Sequence, residues 1–172
     1  MSVRTQPEPH IEVHKFYAGA VLAVAFFALV IQAFLNRHLS SLAYVELPLL
    51  VTLYFGLSRR NPASGLLLGM AIGLLQDGVS GTVIGVYGIA KTTVGYLAST
   101  IGARIDVEHP LSRFGFTVAF FVFHQAVLAL IERGLLAHSA PFFNMKLLVG
   151  AIVNGVVAMF LFPALDRLRK SG

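Results

Sequence analysis

A chain of 172 residues that is 56% hydrophobic and only 12% charged, with mean hydropathy +0.78, carries roughly half the charged share of a soluble domain. Too little polar surface exists to cover a water-soluble globule, so composition predicts an all-α integral membrane protein, and a chain without cysteine has no disulfide, thiolate metal site or thiol nucleophile. The formal net charge of +5 sits in short loops and tails, where it orients a membrane protein and does not point to nucleic acid.

Residues 1–15 (MSVRTQPEPHIEVHK) are polar and hold two prolines, which predicts a short disordered tail. His10, Glu12 and His14 in such a tail read as solvated side chains rather than metal ligands. At about 20 residues per helical crossing, the apolar runs are 16–35, 42–57, 63–76, 82–101, 114–131 and 146–165. They predict one six-helix transmembrane domain over residues 16–170. The first run, broken only by Gln32, is too long for a signal-peptide core, and no small-residue cleavage site follows it. The second carries Glu46 and Pro48 near its start. Proline is comfortable in a first helical turn, and an acid there faces a favourable dipole. The third run is short enough to be re-entrant. The loop 132–145 is expected to lie on the membrane surface, and the closing DRLRK (166–170) to end the sixth helix among anionic headgroups.

Positive charge favours six crossings with both termini in the cytoplasm. Arg4, Lys15, Arg59, Arg60, Arg104, Arg113, Arg167, Arg169 and Lys170 then fall inside, against Arg37, Arg133 and Lys146 outside, nine to three. Merging or deleting the third run would place Arg59 and Arg60 opposite the C-terminal basic cluster.

The most informative stretch runs from Gly65 to Gly95. Gly65, Gly69 and Gly73 form a doubled GxxxG, and Asp77 takes the next step of the same line. Such spacing lets helix backbones approach closely inside a membrane. In the fourth run Gly81, Gly85, Gly88, Thr92, Gly95, Ser99 and Gly102 alternate steps of four and three, the spacing of a left-handed helix pair. The third and fourth spans are therefore expected to pack tightly on each other. Lys91 falls about ten residues into the fourth run, roughly 14 Å deep, where a charge costs on the order of 2.5–3.5 kcal/mol and needs a partner. Asp77 is the expected counter-charge if the Gly78–Gly81 loop dips inward, with Gln76, Tyr96, His124 and Gln125 as alternative hydrogen-bond partners. Few acids lie near midplane, so a polar clamp fixing helix register is favoured over a ligand or partner contact, and both over a proton relay. Glu46 and Asp77 both fall on the outer side, at the ends of neighbouring spans. No nucleophile elbow, HExxH or P-loop lysine occurs, so catalytic residues, cofactors and metals are not expected.

The run GLLLGMAIGLLQDGVSG followed by G-x-x-G-I-A-K-T-T-V-G-Y, in a chain of six short-looped spans, resembles the rod shape-determining protein MreD family. The sharpest part is Gly73-Leu74-Leu75-Gln76-Asp77 with Gly85, Lys91, Gly95 and Tyr96. One difference lies in the second span, where family members often show Pro-Asp followed by leucines and this chain reads Glu46-Leu47-Pro48-Leu49-Leu50. The resemblance implies a non-enzymatic component of the bacterial elongation machinery in the cytoplasmic (inner) membrane. Its implied partners are the bitopic protein MreC, the filament protein MreB, and the RodA glycosyltransferase with its penicillin-binding transpeptidase. It also implies a fold similar to the substrate-binding subunits of energy-coupling-factor transporters, whose rival reading is a vitamin-type small-molecule binder. Gly65, Gly69, Gly73, Gln76, Asp77, Gly85, Gly88, Lys91, Gly95, Tyr96 and Glu46 are the expected structural or partner-contact residues.

Overall fold

Local start and stop signals set the helix ends. The computed structural model describes residues 16–38, 44–105, 109–135 and 143–169. Among them are six helices, α1 (Ala18–His38), α2 (Leu47–Arg59), α3 (Pro62–Ser80), α4 (Val86–Gly102), α5 (Pro110–Leu135) and α6 (Met145–Asp166). Arg60 ends α2 in the left-handed region at φ 54° and donates its N–H to the Gly56 carbonyl. Asn61 then caps α3 by accepting from the Ser64 N–H, with Pro62 in the first turn. Asn144 caps α6 in the same manner through the Leu147 N–H. The polar tail 1–15, including His10, Glu12 and His14, and residues 136–142 of the loop expected on the membrane surface lie outside the described residues.

Four helices, α1, α3, α5 and α6, are long and apolar enough to cross a membrane. The third run, which sequence left open to a re-entrant reading, is a 19-residue helix. It extends past Gln76 to Ser80 because Asp77 and Gly78 stay helical until Gly81 turns at φ 65°. The 13 residues of α2 span about 20 Å, short of the roughly 30 Å hydrocarbon layer. This helix does not face lipid. Every residue from Pro48 to Ser58 is buried, so α2 is a central pillar enclosed by its neighbours. Leu49, Leu50, Leu53, Tyr54 and Phe55 anchor the core around it.

The distribution of polarity is inverted relative to a soluble protein. Phe26, Phe27, Leu67, Leu130, Leu148 and Phe160 point outward, while Gln32, Asp77, Lys91, His124 and Asn154 are buried. That arrangement suits lipid outside and hydrogen-bonded polar groups inside. Helix contacts alternate in direction: Gly65 meets Gly95 and Gly73 meets Tyr87, so α3 and α4 are antiparallel, whereas Gly56 meets Ala98 and α2 runs parallel to α4. Phe16 and Arg169 form an isolated antiparallel bridge, which puts the start of α1 and the end of α6 at one end of the bundle.

Candidate functional site

The glycine ladder on α3 meets α4 backbone to backbone. A Cβ on Gly65 would overlap the Ser99 hydroxyl and the Gly95 carbonyl, one on Gly69 the Lys91 carbonyl, and one on Gly73 the Tyr87 carbonyl. This is the most extensive helix interface in the molecule. The seam expected on the fourth span divides into three parts. Gly88 and Gly95 face α3, Gly102 instead packs on the backbone of Leu57 in α2, and Gly81 and Gly85 belong to the turn before α4, with φ of 65° and 105°.

That turn changes the position of Lys91 along its helix. Because Gly81 and Gly85 hold the chain out of the helix, α4 begins at Val86. Lys91 therefore sits five residues into α4, about 7–8 Å, instead of the ten residues expected from the apolar run.

Asp77, in the last turn of α3, caps α4. One carboxylate oxygen, Oδ2, accepts from the N–H groups of Gly85 at 2.8 Å and Gly88 at 3.1 Å. The other, Oδ1, accepts from the Tyr87 N–H at 2.9 Å and the Thr82 hydroxyl at 3.2 Å. An anion is thereby placed on the positive end of α4, where first-turn donors have no helical partner. The expected Asp77–Lys91 pair is thus corrected: the carboxylate is committed to backbone donors.

Glu46 takes the lysine. Its Oε2 lies 3.5 Å from Lys91 Nζ, and it forms no side-chain cap on α2 although it stands at the N-cap position. Lys91 Nζ also reaches His124 Nε2 at 3.3 Å and lies 4.6 Å from the centre of the Tyr87 ring. Tyr87 in turn stacks on His124 with centroids 6.2 Å apart. With the ammonium donating, Nε2 is the acceptor and the imidazole proton resides on Nδ1, which has no hydrogen-bond partner among the described residues. Lys91 is 0% exposed and the Glu46 side chain 14% exposed, so the pair joins α2, α4 and α5 through a group that cannot reach bulk water.

Residues 14–170 match the family described as rod shape-determining protein MreD. The chain belongs to the MreD family. Comparison with curated proteins and with solved structures finds no match. Membership implies a role in rod-shape determination, and the four apolar crossing-length helices agree with a membrane location.

Within this MreD-family chain, sequence reasoning passed over three polar links. Asn154 on α6 accepts from the Glu46 N–H at 2.8 Å, and Gln32 on α1 accepts from the Leu47 N–H at 2.9 Å. Pro48 follows without an N–H, so the buried start of α2 is capped from two other helices. A lone amide in an apolar run was the available signal, and Gln32 stood out for that reason. At the opposite end Asp166 accepts from Tyr54 Oη at 2.9 Å, Arg113 at 2.7 Å and Arg169 at 2.7 Å. Tyr96, grouped with the polar centre by sequence, is 45% exposed on the outer face of α4. Gln76 is buried, and its Oε1 accepts no bond among the described residues.

Proposed function

We propose that this MreD-family protein is a non-enzymatic membrane scaffold of the bacterial elongation complex, with six crossings and both termini cytoplasmic. Its partners in this reading are MreC, MreB, RodA and the associated penicillin-binding transpeptidase. The observation that carries the proposal is how the expensive polar groups are used. Asp77, Glu46, Lys91, Gln32 and Asn154 bind helix ends and one another, which suits a rigid platform better than a reaction centre. The arginine-rich end that holds Phe16 and Arg169 suits the cytoplasmic side.

In this reading the small-residue faces and outer helix ends hold the single membrane helix of MreC and so position its periplasmic part relative to the synthase. The test is co-purification with MreC from detergent, comparing wild type with Asp77→Ala and Lys91→Leu. Loss of MreC from folded variants is expected. Retention by both would confine Asp77 and Lys91 to internal packing. A gene neighbourhood with an energy-coupling ATPase, in place of MreC and a penicillin-binding protein, would instead favour the small-molecule binder.

A further inference from the structure

Among the described residues, the end of the bundle that holds Phe16 and Arg169 is rich in arginine. Among the described residues, Arg59, Arg60, Arg104, Arg113, Arg167 and Arg169 gather there around a single carboxylate, Asp166. Asp166 spends its oxygens on Arg113 and Arg169, each at 2.7 Å, and on Tyr54. Arg59, Arg104 and Arg167 lie outside that network.

These three stand at, or just past, the C-terminal ends of α2, α4 and α6. Gly102 packs directly on the Leu57 backbone, and Arg59 and Arg104 each follow that contact by two residues. Arg167 adjoins Asp166, which is bonded to Tyr54 on α2. Exposed apolar side chains share the rim: Tyr17, Ile105 and Leu111 all face outward. Guanidinium groups beside a tyrosine and aliphatic side chains match the headgroup level of a bilayer, with phosphate above and acyl chain below. The preference for arginine also fits phosphate, which its planar fork can bind through paired hydrogen bonds.

We infer that the rim formed by Arg59, Arg104 and Arg167 is a binding site for the phosphate headgroup of an anionic phospholipid. The apolar members of the rim select a lipid over free phosphate. This site is separate from the polar centre at Lys91 and does not depend on the partners proposed above.

The test is thermal unfolding of the full-length protein in a neutral detergent with added phosphatidylglycerol, phosphatidylcholine or inorganic phosphate. At about a hundredfold excess over its dissociation constant, phosphatidylglycerol should raise the midpoint by about 5 °C or more. Phosphatidylcholine and inorganic phosphate should leave it nearly unchanged. The Arg104→Gln/Arg167→Gln variant alters two exposed side chains, so it should fold as wild type yet lose most of the phosphatidylglycerol response. Arg133→Gln/Lys146→Gln, at the opposite end, should retain it. The site is refuted by an equal rise with phosphatidylcholine, by inorganic phosphate reproducing the effect, or by an unchanged response in the Arg104/Arg167 variant.

Discussion

Replacing Asp77 by asparagine is nearly isosteric, yet the geometry makes it severe. In the wild type each carboxylate oxygen accepts two bonds: Oδ2 from the Gly85 and Gly88 N–H groups, and Oδ1 from the Tyr87 N–H and the Thr82 hydroxyl. Asparagine keeps one oxygen and turns the other position into an NH2, which would point a donor at backbone donors. Whichever way the amide faces, at least one backbone N–H loses its acceptor. A stranded donor costs about 1–3 kcal/mol, and charge-assisted bonds are worth about twice neutral ones. The expected loss is about 2–4 kcal/mol for Asp77→Asn and about 3–6 kcal/mol for Asp77→Ala, where three N–H groups are left without acceptors. Thr82→Val removes only a hydroxyl at the rim and should cost less than about 1 kcal/mol.

The assay is a denaturant titration in mixed micelles followed by helical circular dichroism. A double-mutant cycle with Lys91→Met makes it decisive. If Asp77 serves α4 as a cap, its effect adds to that of Lys91→Met within about 0.5 kcal/mol. Coupling above about 1 kcal/mol, or an Asp77→Asn protein as stable as wild type, would refute the capping account and return Asp77 to the lysine.

Two further outcomes follow from packing and charge. Gly69→Ala forces a methyl group into the Lys91 carbonyl, which belongs to backbone and cannot step aside; it should cost about 3 kcal/mol or more. Gly78→Ala meets nothing within 4 Å and should be neutral or stabilising by about 0.5–1 kcal/mol, so similar losses in the same titration would refute the close-contact reading. Lys91→Met leaves the Glu46 carboxylate without its ammonium and should cost about 2–4 kcal/mol. Adding Glu46→Gln removes that stranded charge, so the double variant should recover at least half of the loss. A double variant destabilised by the full sum of the single changes would refute the pairing.

What sequence could reveal here depended on whether a feature is local. The α3 ladder was legible because glycine at every fourth position marks one helical face wherever the partner stands. The position of Lys91 along its helix was not, because hydropathy read an apolar run from residue 82 and did not register that Gly81 and Gly85 adopt positive φ. That one turn moves the helix start to Val86 and frees the Asp77 carboxylate to meet the new N-terminus. The cost of Asp77 and Lys91 in lipid was therefore evident, while their pairing was not. Lys91 finds its acid 45 positions away on another helix, a choice made by the packing of α2 against α4. The same packing explains why α2 and its caps escaped notice. A 13-residue helix too short for the bilayer can persist only if neighbours bury its sides and satisfy its first N–H groups, and the Gln32 and Asn154 amides do so at its start. Polar residues that seemed to be isolated costs within single spans are thus halves of bonds between spans, and that is why this fold can bury them.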